Sequence, residues 1–196
     1  MRVKICGITN LEDALFAAGA GADALGFVFY EGSPRYIEPK KAREIVKRLP
    51  PFIERVGLFV EAEPAFVEDV CAECGMSLAQ LHWDVDEEYV DRLGIKALPV
   101  VRARASEDIR RFAGRYRLVD AYVPEFGGAG KRVALEWFAG ADTEHIILAG
   151  GLTPGNVAEA RKYGFWGVDV SSGVEAAKGK KDPRKVAEFI KKAKFG

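Results

Sequence analysis

The chain has no surplus of charge: twenty-nine basic residues meet twenty-nine acidic ones. No overall field therefore draws it to nucleic acid or to an anionic membrane surface. It also has no apolar run that approaches the length of a membrane span, and its first residues, MRVKIC, read as a strand rather than a signal segment. A cytoplasmic enzyme or binding domain is expected. Cysteine is scarce, and its count of three is odd, which argues against a disulfide framework. Cys71 and Cys74 do form a C-x-x-C. However, Val67, Val70, Cys71 and Cys74 fall at i, i+3, i+4 and i+7, the buried stripe of a helix, and no second ligand pair stands at zinc-site spacing. Packing is the preferred reading over redox or metal use.

What the chain does have is one motif, repeated. Short β-rich runs alternate with helical patterns along all 196 residues, the signature of parallel βα units. The strand candidates are 3–8, 22–30, 55–60, 78–83, 95–103, 117–123, 145–151 and 167–174. Helical faces lie between them: Leu11, Ala14, Leu15 and Ala18 behind a Thr9–Glu12 capping box; Ala42, Ile45, Val46 and Leu49; and Ile109, Phe112, Ala113 and Tyr116 after Ser106. Thr153-Pro154 and Asp182-Pro183 read as N-caps followed by proline at the first helical position. Val186, Phe189, Ile190 and Ala193 make the basic tail a docked helix with a solvated face. Segments 86–93 and 134–141 are weaker and are required mainly by the alternation.

Eight such units point to an α/β fold, a single (β/α)8 TIM barrel over residues 1–196. About 24 residues per unit is near the lower limit for this barrel. No G-x-G-x-x-G follows the first strand, as a dinucleotide-binding fold would require. Function is then expected in the loops at the C-terminal ends of the strands.

Strand 1 ends in Cys6-Gly7, either a nucleophile or base beside a glycine or a small buried hydrophobe. Strand 2 leads into Ser33-Pro34-Arg35, where a fixed arginine suits bidentate grip of a carboxylate or phosphate, or simply lies on the surface. Strand 6 holds Asp120 among apolar neighbours, paired structurally or poised as a general acid with a raised pKa. The glycine-rich run 126–131, with Gly128 at its centre, is not a P-loop and reads as a mobile loop. Gly150-Gly151 and Ser171-Ser172-Gly173 end strands 7 and 8, where such barrels frequently bind phosphate. Lys4 shares the face of Cys6, and Asp169 lies on the strand that closure places beside it, so a buried Lys4–Asp169 pair is expected. His82, ending strand 4, is read as a supporting donor.

With those residues assembled, the chain resembles the N-(5′-phosphoribosyl)anthranilate isomerase family of tryptophan biosynthesis. The resemblance rests on VKICGIT (3–9), GFVF and SPRYI (26–29, 33–37), VGLFV (56–60), AQLH (79–82), FGGAGK (126–131), ILAGGLTPGNV (147–157) and GVDVSSGVE (167–175), in order from end to end. It implies an Amadori rearrangement of a ribosylamine to an aminoketose, with Asp120 as general acid and Cys6 as general base. It further implies Arg35 on the anthranilate carboxylate, the two glycine–serine clusters on the phosphate, and no metal or organic cofactor. Trp83 stands where the family usually has glycine, and Ala121 and Ala129 where hydroxyl residues are common; loop dynamics and affinity are the properties at stake. The expected partner is a small phosphosugar, with no nucleic acid, no membrane and a homo-oligomer left open. Another phosphosugar isomerase or epimerase, or a non-catalytic phosphate-binding barrel, are the competing readings.

Overall fold

A computed structural model describes residues 1–122 and 132–196. Eight strands close into a barrel: β1 Arg2–Ile5, β2 Ala24–Val28, β3 Glu54–Phe59, β4 Leu78–Leu81, β5 Ala97–Ala103, β6 Arg117–Ala121, β7 Ile146–Leu148 and β8 Gly167–Val170. Each pairs in parallel with its neighbour, and β1 closes on β8. All eight fall on the runs expected from the sequence, though β1 and β3 start one residue before theirs and most end two to four residues short.

Strand alternation sorts the side chains into two shells. Outward residues such as Val3, Ile5, Leu25, Phe27, Val168 and Val170 join the helices in one continuous core. Inward residues form three layers. Towards the N-terminal end Leu98, Val100, Leu118 and Ile147, joined by Ala149 just past the end of β7, make an apolar plug. Above it, Lys4, Gln80 and Asp169 are buried and polar. Towards the C-terminal end Cys6, Val28 and Leu58 cluster. The plug makes the barrel a filled core rather than a pore, and it leaves polar chemistry to one end.

The helices are α1 Leu11–Gly19, α2 Pro39–Val46, α3 Pro64–Cys74, α4 Glu87–Arg92, α5 Val157–Ala160 and α6 Pro183–Phe195. In α3 both cysteines are buried, and burial pushes their thiols up to about 12 for Cys71 and about 11 for Cys74, as packing groups require. Asp182 caps α6, accepting from the amides of Arg184 and Lys185 at 2.9 and 3.3 Å, and the expected stripe of α6 is buried.

Four local expectations are corrected. The cap of α1 is Asn10, whose Oδ1 accepts from the Asp13 amide at 2.9 Å; Thr9 donates its hydroxyl instead to the Gly179 carbonyl at 2.5 Å. The helix after Thr153-Pro154 begins only at Val157, because the Asn156 side chain accepts from the Thr153 amide and closes a turn first. The segment after Ser106 is a 3-10 turn ending at Arg110, since Phe112 takes a left-handed φ of 57° and halts the helix; Tyr116 is exposed. Segment 134–141 likewise forms only a 3-10 turn, Leu135–Phe138. Thus the minimal barrel saves residues where strands 5 to 7 are joined. A further element was not expected at all: an antiparallel hairpin, β9 Glu175–Ala177 and β10 Lys180–Lys181, between β8 and α6. Among the described residues no helix is long and apolar enough to cross a membrane.

Lys4 stands directly opposite Asp169 in the β1–β8 register, and its Nζ donates to Oδ1 at 2.7 Å with both side chains buried. Replacing one partner leaves the other charge uncompensated. Lys4→Met should therefore cost about 3–5 kcal/mol in urea unfolding, whereas Lys4→Met with Asp169→Leu should recover much of that loss.

Candidate active site

Cys6 follows β1 directly and keeps its pairing, with its amide donating to the Val170 carbonyl at 2.8 Å. Its side chain points inwards against Gly26 of β2. A Cβ on Gly26 would come within 2.8 Å of the Cys6 sulfur and 3.1 Å of Lys4 Cε, so a glycine there is what lets both side chains occupy the barrel. Gly7, at φ +76°, turns the chain away from the mouth; a Cβ there would press on Arg35 Cδ and lie 3.0 Å from Ser171 Oγ. The base candidate, the arginine and the serine that follows β8 thus converge on one strand end.

The electrostatics divide the roles. Burial works to lower the Lys4 pKa, but Asp169 and then Cys6 outweigh it, and the ammonium is held above its ordinary value. Burial raises the Cys6 thiol; Lys4 opposes this, Asp169 adds to it, and the thiol stays above its ordinary value. Such a sulfur is a strong base once ionised, and few molecules carry it ionised at neutrality. Asp120, inward-facing on β6, is pushed up to about 7 by burial and then by the negative charge of Asp169, against Arg102 and Lys4. A carboxyl at that value holds a proton it can give near neutrality. Lys4 and Asp169 act on both Cys6 and Asp120, which makes the pair the electrostatic centre of the mouth. His82 is driven down to about 4 by burial and then by Arg102 and Lys4, so it is uncharged; Gln80 Nε2 lies 3.4 Å from its Nδ1.

Arg35 meets a carboxylate, and the carboxylate belongs to the chain. Its Nε and Nη2 each donate to Glu175 at 2.8 Å, and Lys181 Nζ donates to the same Glu175 at 2.9 Å, all three side chains being buried. The loops after β7 and β8 also meet. Gly150 and Gly151 take φ of 83° and 58°, and a Cβ on Gly173 would collide with the Leu152 carbonyl. Both expected phosphate clusters therefore lie at one point on the rim. Ser172 is exposed there, in a 3-10 turn. Ser171 differs: its Oγ is buried beside Gly7 without a hydrogen-bond partner among the described residues, on the Cys6 side. Gly128 falls in 123–131, outside the described residues. Trp83 does not crowd the mouth, since it packs on the outer core with its ring edge-on to Tyr89 at 5.2 Å.

Sequence reasoning missed Glu175 as a partner of Arg35, and it missed Lys181, Gln80 and Arg102. The last two could have been found by alternation, being two residues before His82 and opposite Asp120 in the β5–β6 register. The first two depend on the hairpin, for which no periodic signal exists.

The model of the N-(5′-phosphoribosyl)anthranilate (PRA) isomerase family matches residues 3–192. The N-(5′-phosphoribosyl)anthranilate isomerase of Nitratiruptor sp. is 70% identical over 195 residues, covering 100% of both chains. The crystal structure of phosphoribosyl anthranilate isomerase from Thermotoga maritima superposes with a TM-score of 0.92 at 43% identity, over 99% of this chain and 98% of that one. A second structure from that organism, described as mutually generated monomers of the dimeric enzyme, gives 0.86 at 40% over 100% of both chains. A phosphoribosyl anthranilate isomerase in complex with reduced 1-(o-carboxyphenylamino)-1-deoxyribulose 5-phosphate gives 0.85 at 41% over 99% and 98%.

The Asp120 value has a consequence for stability. Its folded pKa of about 7 lies above the unfolded value of about 3.9, so the fold favours the protonated form. This contribution is present below about pH 4 and is lost as pH rises towards 7. In urea unfolding from pH 4.5 to 8, wild type should lose stability relative to Asp120→Asn up to about pH 7 and then run parallel to it.

Proposed function

Since the chain belongs to the PRA isomerase family and is an isomerase of tryptophan biosynthesis, we propose that Cys6 and Asp120 are the base and acid of its rearrangement. Asp120 gives its proton to the ribose ring oxygen as the C1′–O bond breaks, leaving an iminium on the anthranilate nitrogen. The Cys6 thiolate then removes the C2′ proton. The electron pair flows into the iminium, and the resulting enol becomes the ketone as a proton reaches C1′. Substrate nitrogen serves as the electron sink, so the residues need only hold and move protons. The observation that carries this reading is Asp120 at about 7 in the same mouth as Cys6, both under the influence of one Lys4–Asp169 pair.

Arg35 offers the anthranilate carboxylate Nη1, the part of its guanidinium that Glu175 does not engage. The rim of Gly150, Gly151, Ser172 and Gly173 receives the phosphate through backbone amides and the Ser172 hydroxyl, and Ser171 faces the reacting carbons. Residues 1–196 act as one catalytic unit, and the cytoplasm is its place of work. Turnover of phosphoribosylanthranilate should fall about 10²–10⁴-fold in kcat for Cys6→Ser and for Asp120→Asn, with KM little changed. Activity surviving both substitutions would sink the assignment.

A homo-oligomer is the second part of the reading, and it belongs to the opposite end of the barrel. There Phe52 is fully exposed at φ 69° beside a hollow of about 750 Å3 lined by Leu49, Pro50, Tyr116 and Trp166. An exposed aromatic next to a recess with aromatic and aliphatic walls and a charged rim (Arg2, Asp23, Glu54, Arg55, Lys96) on the same face suits a second copy across a two-fold axis. Sedimentation should find a dimer for wild type and a monomer with retained turnover for Phe52→Glu; a monomeric wild type would refute it.

A further inference from the structure

The β9–β10 hairpin carries two buried charges that the proton-transfer scheme does not use. Lys181 is 2% exposed, which for a lysine demands a partner, and Glu175 supplies it. The hairpin is stapled in place from several sides. The Lys181 amide donates to buried Asp13 of α1 at 2.8 Å, Thr9 donates to the Gly179 carbonyl, and Lys185 Nζ donates to the Glu175 carbonyl at 2.9 Å. The Lys181 ammonium also lies 3.4 Å from the carbonyl of Ser171, the residue whose side chain abuts Gly7. Glu175 is thus held between two cations, one gripping it bidentately and one as a point charge.

Resting on the assignment of Cys6 as base, we propose that Glu175 and Lys181 are positioning residues that join Arg35 and Cys6 into one charged unit. In this unit Lys181 stabilises the Cys6 thiolate from the loop side, as Lys4 does from beneath. The charges around the sulfur fit this role. Lys4 and Asp169 act on it from β1 and β8, Arg35 from the loop after β2 and Lys181 from the hairpin, while Glu175 binds the last two to each other. Three cations against two carboxylates leave one positive charge, which a thiolate balances. Asp120 and Arg102 stand on β6 and β5, and His82 directly follows β4. Burial lowers the Lys181 pKa more strongly than Glu175 and Cys6 raise it, so the ammonium gains from any nearby anion, a thiolate included. Glu175 meanwhile keeps the Arg35 guanidinium edge-on, with Nη1 left for substrate.

The test reads the thiol directly, so it stands apart from whether Cys6 is the base, which Cys6→Ser turnover decides. In a Cys71→Ala, Cys74→Ala background, iodoacetamide alkylation of Cys6 is followed against pH. Lys181→Met should raise the midpoint by about one unit, so that alkylation at neutral pH slows about tenfold, and Lys181→Arg should restore it to within about twofold. Glu175→Gln should leave alkylation at least as fast as wild type but raise KM for phosphoribosylanthranilate about tenfold, with a smaller change in kcat. An unmoved midpoint in Lys181→Met, or no rescue by arginine, would overturn the role of Lys181; an unchanged KM in Glu175→Gln would overturn that of Glu175. Should Lys181→Met fail to fold, S-methylation of Cys6 in the unsubstituted lysine background should shift the NMR titration of the Lys181 Cε resonance. A titration that ignores the methyl group refutes the coupling.

Discussion

The Lys4–Asp169 ion pair is the interaction on which the rest of the molecule turns. It joins the first strand to the last, so it exists only when the barrel is closed. A buried pair of this kind gains little stability over a well-packed apolar pair of equal volume. Its return is electrostatic: one ammonium and one carboxylate, fixed by sheet register, act together on the thiol of Cys6 and the carboxyl of Asp120. Asp169 helps keep Asp120 protonated, while Lys4 opposes the rise of the thiol. Closure of the fold and the electrostatic setting of the proposed acid and base are thus one event.

The interior is graded to suit this. An apolar plug of Leu98, Val100, Leu118, Ile147 and Ala149 fills the barrel beside the charged layer, which therefore lies against surroundings of low polarity. Charges placed there act strongly on one another, and each one is met by a partner. Lys4 has Asp169; Arg35 and Lys181 share Glu175. The glycines allow the crowding: Gly26 makes room for Cys6 and Lys4, Gly7 for Arg35, and Gly173 for the carbonyl of Leu152. The connecting helices bear less of the design, and the links around strands 5 to 7 shrink to 3-10 turns without opening the barrel.

Membership of one family says which rearrangement the chain performs; the residue roles proposed for it rest on local physics. Asp120 is inward on a strand whose outward neighbour, Val119, belongs to the helix-side core, so the same two-residue period that builds the core delivers the proposed acid to the mouth. Arg35 illustrates the other kind of placement. It comes from a loop, and its direction is set by a carboxylate 140 residues away in sequence.

By itself the sequence determined the eight strands, the face of Cys6, the pairing of Lys4 with Asp169, the buried stripes of α3 and α6, and the strand ends that carry the glycines. All of these follow from period-2 and period-3.6 patterning and from the closure of a parallel barrel, which are local or topological rules. Tertiary structure alone decided that Glu175 grips Arg35, that Lys181 is buried beside them, that Thr9 serves the hairpin instead of capping α1, and that Ser171 faces inwards while Ser172 faces out. These depend on a hairpin with no periodic signal and on contacts between residues far apart in the chain. Burial and the arrangement of charges set the pKa values of Cys6 and Asp120, and neither can be read until the last strand has met the first.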